Sequence, residues 1–214
     1  MSQITIESPK HCANKQGLKR FERNYKKLFF AFSAFFTTIL LLILLIYLIL
    51  HPSKPQFSLK ELDIYQLNLS GPNLNTTINL TLLSKNPNQK VSIYYDEIVV
   101  YGSYKGQQIT GDTYVPPFYQ DNQESNLLTA SLVGNGLPVS PSIGYEFGRD
   151  QSSGRLVLNL KANGKLRWKI GTWVSGHYRF NVNCVSFMAF GPSSLPSASP
   201  PLASKQGSQC STTL

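Results

Sequence analysis

Residues 73–88 read NLNTTINLTLLSKNPN. Asparagine and threonine crowd the stretch, yet Leu74, Ile78, Leu80 and Leu82 fall on one parity and Asn75, Thr77, Asn79 and Thr81 on the other. Side chains on a strand alternate between two faces, so this parity describes a half-buried strand with an apolar side for a core. Asn86-Pro87-Asn88 ends it, since the residue before a proline is pushed towards extended or turn conformations.

The same period recurs downstream. Leu156, Leu158, Leu160 and Ala162 oppose Arg155, Val157, Asn159 and Lys161, and Leu166, Trp168 and Ile170 oppose Lys165, Arg167 and Lys169. Tyr178, Phe180, Val182 and Cys184 alternate with His177, Arg179, Asn181 and Asn183. The run VSIYYDEIVVYGSY (91–104) changes phase at Asp96-Glu97, which predicts a bulge or bend, with the two acids on opposite faces if the chain stays extended. Gly71-Pro72, Lys105-Gly106, Val115-Pro116-Pro117, Gly134-Asn135-Gly136, Ser153-Gly154 and Asn163-Gly164 read as turns between strands. Seven or eight strands at a spacing of about 8–12 residues predict an all-β antiparallel sandwich with little helix.

Upstream, residues 28–50 are LFFAFSAFFTTILLLILLIYLIL, with no charge and no polar face. As a helix they extend about 35 Å at about 1.5 Å per residue, enough for a hydrocarbon core of about 30 Å. The run exceeds the apolar core of a cleaved signal peptide and lacks a small-x-small site after it, so it reads as a signal-anchor. Lys15, Lys19, Arg20, Arg23, Lys26 and Lys27 precede it, and only Lys54 and Lys60 follow closely. Basic excess marks the cytoplasmic side, which puts the N-terminus in the cytosol and residues 51–214 in the lumen or outside the cell. The basic segment either rests on anionic headgroups or only sets topology. Cys12 is a candidate for palmitoylation or an ordinary reduced thiol.

The layout is a basic tail (1–27), a transmembrane helix (28–50), a juxtamembrane linker (51–60), a sandwich (61–190) and a Ser/Pro-rich, loose C-terminal tail (191–214). The net charge of +9 is concentrated before residue 28 beside the apolar run, and neither zinc-finger spacing nor an RNA-binding aromatic motif occurs. Those facts point to a membrane partner and away from nucleic acid.

An outside placement gives three N-x-[ST] triplets a meaning: Asn68, Asn75 and Asn79 become candidate glycosylation sites. Asn75 and Asn79 would stand about 13 Å apart at roughly 3.3 Å per residue. Cys184 and Cys210 are the two cysteines after the span. In an oxidising compartment they form an intrachain bond tying the tail to the sandwich, or pair between chains. Outward-facing Lys161, Lys165, Arg167, Lys169 and Arg179 form either a basic patch for an acidic polysaccharide, headgroup or protein, or a solvated strand face.

Catalysis finds few candidates. No G-x-S-x-G elbow, metal-ligand spacing or Gly-rich phosphate loop is present, and His177 is the one histidine clear of the membrane on the outer side. The expectation is a non-enzyme without cofactors, metal or catalytic residues.

The ordered set Asn86-Pro87-Asn88, Val91-Ser92-Ile93-Tyr94-Tyr95-Asp96, Tyr104-Lys105-Gly106-Gln107 and Val115-Pro116-Pro117-Phe118-Tyr119-Gln120, behind a basic tail and one span, resembles the plant harpin-induced-like, non-race-specific-disease-resistance-like proteins. Their outer part is a late-embryogenesis-abundant group-2 domain. The resemblance implies a fibronectin-like β-sandwich, a plasma-membrane location with some relatives at plasmodesmata, and roles in pathogen response, the hypersensitive reaction or senescence. It implies no catalytic residues. The late cysteine pair Cys184 and Cys210 also fits it. Two function classes follow: a membrane-anchored interaction protein with a protein or cell-wall partner, for which a homo-oligomer stays open, and a lipid-binding or lipid-transfer module. A continuous apolar cavity would favour the second, and a filled core the first.

Overall fold

The computed structural model describes residues 15–189, 202–203 and 208–214. Cys12 and most of the Ser/Pro-rich segment lie outside the described residues. The chain divides into two compact units, 1–51 and 52–214.

The first unit contains helix α1 (Lys15–Leu50), longer than the apolar run because it continues back through the basic segment. Residues Tyr25–Leu48 form a stretch apolar enough to cross a membrane. Two hydroxyls inside it are satisfied locally: Thr37 donates to the Ala34 carbonyl and Thr38 to that of Phe35, each at 2.8 Å. An apolar medium requires such pairing, because it offers these groups no water.

The second unit is an all-β sandwich. In chain order it contains β1 (Gln56–Ser70), β2 (Asn73–Lys85), β3 (Ser92–Tyr104), β4 (Gln107–Gln108), β5 (Thr113–Val115), β6 (Phe118–Gln120), β7 (Ser125–Pro138), α2 (Pro141–Ser152), β8 (Arg155–Ile170), β9 (Trp173–Val174), β10 (Tyr178–Ala189), β11 (Leu202–Ala203), β12 (Ser208–Gln209) and β13 (Ser211–Thr213). One sheet runs β11-β1-β2-β7 with β12 also on β1; the other runs β13-β10-β8-β3-β4, with β5 and β6 on β3 and β9 on β8. Every pairing is antiparallel. The strand at 73–85 therefore lies in the middle of its sheet, with Leu74, Ile78, Leu80 and Leu82 buried as their parity requires.

The inner faces meet through aromatic rings. Phe57 of the first sheet stacks on Phe180 of the second at 5.8 Å, and Tyr95 meets both edge-on at 6.2 and 5.7 Å. All three are essentially inaccessible to solvent. Such pairs add about 0.5–1.5 kcal/mol each beyond the area they bury.

The phase change at Asp96-Glu97 is a bulge between Tyr95 and Glu97 against β8. It corrects the expectation that the two acids face opposite ways. Two residues of the bulged strand oppose one on its partner, so both carboxylates reach the same outer face, where Lys165 and Arg167 meet them.

Two expected turns are strand interior. Asn163-Gly164 is no hairpin, because β8 runs unbroken through it. Gly164 is there for close approach: a Cβ would stand 2.0 Å from the Glu97 carbonyl oxygen and 2.8 Å from the Phe180 ring. Gly134-Asn135-Gly136 belongs to β7, opposite an irregularity between Leu74 and Thr76. The sequence also hides α2, whose start is marked by Ser140, which accepts from the Ile143 N–H at 3.4 Å, and by a proline in the first turn.

The C-terminal segment is not loose where it is described. Leu202–Ala203 and Ser208–Gln209 extend β1, and Ser211–Thr213 pairs with β10. Between them Cys210 donates its N–H to the Phe57 carbonyl and is bonded through sulfur to Cys184 of β10, with Cα atoms 4.3 Å apart. The segment thus stitches one sheet to the other along the β1–β10 side.

Gly164→Ala should lower the stability of residues 52–214 in urea unfolding by about 3 kcal/mol, the upper part of the overpacking range. Gly176→Ala, where a Cβ meets nothing within 4 Å, should stay within about 0.5 kcal/mol of wild type.

Candidate functional site

The four sequence motifs that carry the resemblance converge on the two ends of the sandwich. At the near end, where the chain enters at Pro52, Asn86 is fully buried. Its amide nitrogen donates to the Val91 and Asp121 carbonyls at 2.8 and 3.0 Å, while its oxygen accepts from the backbone and side-chain N–H groups of Asn88 at 3.0 and 2.9 Å. Asn88 in turn clasps Ser53, accepting from its N–H at 2.7 Å and donating to its carbonyl at 2.8 Å. The segment before β1, the β2–β3 turn and the loop after β6 are thereby held in one polar knot.

Tyr94-Tyr95 and Phe118-Tyr119 pair in register across β3 and β6. On the inner face Phe118 stacks on Tyr95 at 4.6 Å; on the outer face Tyr119 meets Tyr94 at 4.7 Å. Gln120 is fully buried and donates to the Ser84 carbonyl at 2.9 Å and to the Asn126 side chain at 2.8 Å. Its oxygen accepts from the Tyr95 hydroxyl at 3.3 Å, and burial pushes that phenol's pKa well up.

At the far end, Tyr104-Lys105-Gly106-Gln107 makes the β3–β4 turn, with φ of 45° at Lys105 and 88° at Gly106. Positive φ at both central residues suits the twist of a two-residue hairpin. Lys105 reaches Glu146 at 2.7 Å and Asp150 at 3.4 Å on α2. Tyr104 donates to Asp150 at 2.7 Å, and burial together with that carboxylate raises the phenol to about 12. Gln107 donates to the Pro138 carbonyl at 2.8 Å. The motif thus anchors the helix over that end of the core.

The space under α2, lined by residues including Leu69, Tyr104, Ile143 and Phe147, is apolar and offers about 10 Å³. That is about the room one water needs, and far below a cleft of about 300 Å³ for a small ligand.

The outward basic row divides in two. Lys165 pairs with Glu97 at 2.8 Å, and Arg167 grips Asp96 through both its Nε, at 2.8 Å, and a terminal nitrogen. His177 Nε2 stands 3.5 Å from the same carboxylate. Lys169 lies over the rings of Tyr94 and Tyr119, 5.6 and 5.1 Å from their centroids. This part is a compensated ladder. Lys161 and Arg179 have no carboxylate within 4 Å among the described residues. Lys161 lines a shallow outer concavity with Tyr101, Asn163, Asn181 and Asn183.

Asn68 and Asn75 face each other across β1 and β2, and the Asn75 side-chain oxygen accepts from the Gly136 N–H at 2.7 Å. Asn79 is exposed on the outer face between Asp63 and Ser131. Lys26 and Lys27 are exposed on α1; the side chains of Lys15, Lys19, Arg20 and Arg23, on the same helix, lie outside the described set. Among the described residues no group of His, Cys, Asp or Glu is arranged to hold a metal.

Comparisons agree with the motif reading. A family profile described as late embryogenesis abundant protein matches residues 81–185. NDR1/HIN1-like protein 26 of Arabidopsis thaliana is 57% identical over 100% of both chains. NDR1/HIN1-like protein 1 of the same plant is 38% identical over 85% of this chain and 88% of its own. A solved protein from Archaeoglobus fulgidus is 16% identical, covering 63% of this chain and 98% of its own at a TM-score of 0.33, a likeness too slight to argue from.

The Arg167 hydrogen bonds hold the Asp96 carboxyl below the usual carboxylate range, against the opposing effect of burial. A carboxyl depressed in the folded state adds stability above its unfolded value of about 3.9 and loses it as pH falls through the lower folded value. Asp96→Asn should therefore be less stable than wild type at pH 7, and the gap should close as pH drops below about 4. Urea midpoints measured from neutral to strongly acid pH check this.

Proposed function

The chain belongs to the NDR1/HIN1-like family, and from that premise we propose that it is a non-enzymatic, single-pass plasma-membrane protein of plant defence. Its sandwich stands outside the cell and engages a protein or cell-wall partner in the hypersensitive response or in pathogen- or senescence-related signalling. The observation that carries the reading is the charge step at the apolar helix. Six bases between Lys15 and Lys27 precede it, while Lys54 and Lys60 follow. That asymmetry favours a cytosolic N-terminus.

An outside location also suits a glycoprotein with the Cys184–Cys210 bond, whose separation of 26 residues corresponds to about 3.5 kcal/mol of loop entropy. Plasmodesmata are a location the family allows. Interaction at a surface is favoured over chemistry in a cleft, because the motif residues are occupied in building the two ends of the fold. The lipid-carrier alternative has less support: the apolar space under α2 is too small for an acyl chain, and the inner faces are filled by the aromatic contacts.

Protease treatment of sealed microsomes should remove an epitope fused at Met1 and spare one at Leu214; a protected Met1 epitope overturns the topology. Proximity labelling from the Leu214 end during elicitation should recover membrane or wall proteins above an unrelated anchor. Recovery equal to that control overturns the interaction reading.

A further inference from the structure

The outer face of the β1–β2–β7 sheet is concave at its middle. The hollow is a shallow, solvent-open depression of about 390 Å³, similar in size to the one of about 400 Å³ on the outer face of the other sheet. Asn79 lines it, together with Glu61, Asp63, Tyr65, Thr129 and Ser131. This composition differs from that of the opposite sheet. Here there are carboxylates and hydroxyls around one aromatic ring, with no basic side chain in the lining. The ring is open to solvent: Tyr65 is 59% exposed, and what sets it apart from other exposed rings such as Tyr114 and Tyr145 is its place in the lining beside Asn79.

Local geometry explains the exposure. β1 is irregular between Ile64 and Gln66, and Tyr65 is the extra residue there. Alternation from Asp63 already turns Tyr65 outward, between buried Ile64 and the bulge, and the bulge leaves Gln66 exposed beside it. Asp63, two residues before Tyr65, is the direct cross-strand partner of Asn79. The ring thus stands on the same face as the Asn79 amide, one diagonal step away, within reach of a large side chain or substituent.

We propose that this hollow seats the chain's own N-linked glycan at Asn79, with Tyr65 as the platform for its first sugar. The inference rests on the outside placement of the sandwich and goes beyond it by choosing one site among three and giving its glycan a bound position. The occupant is fixed by the attachment point, since a sugar joined to the Asn79 nitrogen begins inside the hollow. A pyranose presents an apolar C–H face, which packs on an exposed aromatic ring, and a rim of hydroxyls. Glu61 and Asp63 accept hydrogen bonds from those hydroxyls, and Thr129 and Ser131 donate or accept. The core sugars are neutral, so the carboxylates meet no opposing charge.

The other two sites lack this setting. Asn68 and Asn75 are direct cross-strand partners, so glycans on both would crowd one another, and neither lines the hollow. Asn75 also has its amide oxygen engaged by Gly136. The outer hollow of the other sheet, at Lys161 and Asn181, contains no glycosylation triplet.

The test uses the full chain expressed in plant cells and solubilised from microsomes in mild detergent. Glycopeptide mass spectrometry first scores Asn68, Asn75 and Asn79. A peptide N-glycosidase active on plant glycans then releases sugar from the folded protein, and the rate at Asn79 is followed in wild type and Tyr65→Ala. Because Tyr65 is a surface residue, its removal should leave the fold intact, which an unchanged urea midpoint verifies. The expected result is occupancy at Asn79, with native release at least tenfold slower than after denaturation, and with most of that protection lost in Tyr65→Ala. Equal release rates in wild type and Tyr65→Ala overturn the proposal. So does an unmodified Asn79 beside a modified Asn68 or Asn75, an outcome that leaves the outside placement standing. Three unmodified sites together with a protected Met1 epitope overturn both.

Discussion

A buried asparagine side chain organises the near end of this sandwich. Every hydrogen-bonding position of the Asn86 amide is used, on partners drawn from the β2–β3 turn and the loop after β6. Buried amides cost free energy unless paired, and a fully satisfied network admits few alternative arrangements. Through Asn88 the same network reaches Ser53, the point at which the chain leaves its N-terminal unit and enters the sandwich. The network joins the segment before β1, the β2–β3 turn and the loop after β6.

Above the knot, the inner faces are closed by aromatic contact and the outer faces are left to differ. The β3–β8–β10 face pairs Lys165 and Arg167 of its basic row with Glu97 and Asp96, and lays Lys169 over two tyrosine rings. On the β1–β2–β7 face Glu61 and Asp63 have no salt-bridge partner among the described residues and stand beside the Tyr65 ring. The division is between a filled interior and outer surfaces of distinct character. The family motifs serve the interior and the ends, which is why none of their residues looks like a catalytic group.

Much of the fold was legible because period two is a strong signal. The parity at 73–82 named the buried residues of β2, and the phase change at Asp96-Glu97 located the bulge. Asn163-Gly164 reads as a turn because Asn-Gly commonly makes one, but the need there is room for the Glu97 carbonyl, which lies 67 residues away in the chain. Helix α2 is hard to see in the sequence because Gly144 and Gly148 dilute its helical pattern, although Ser140-Pro141 is a serviceable start signal. The Ser/Pro-rich composition near the C-terminus suggested a loose tail, while the open edges of β1 and β10 offer its last residues backbone partners. The role of Gln120 is invisible along the chain and comes from its burial beside Ser84 and Tyr95.

The sequence by itself determined the plan of an apolar helix followed by a sandwich, the inward residues of the long strands and the cysteines available for bonding. These depend on local alternation, apolar length and residue type, all of which are written along the chain. Tertiary structure decided which glycine serves a turn and which a crossing, which bases remain without an acid partner, and which asparagine stands in a hollow beside a ring. Those outcomes depend on strands brought side by side from distant parts of the chain, and the distance between two groups in space, which sets their energy, has no counterpart in sequence order.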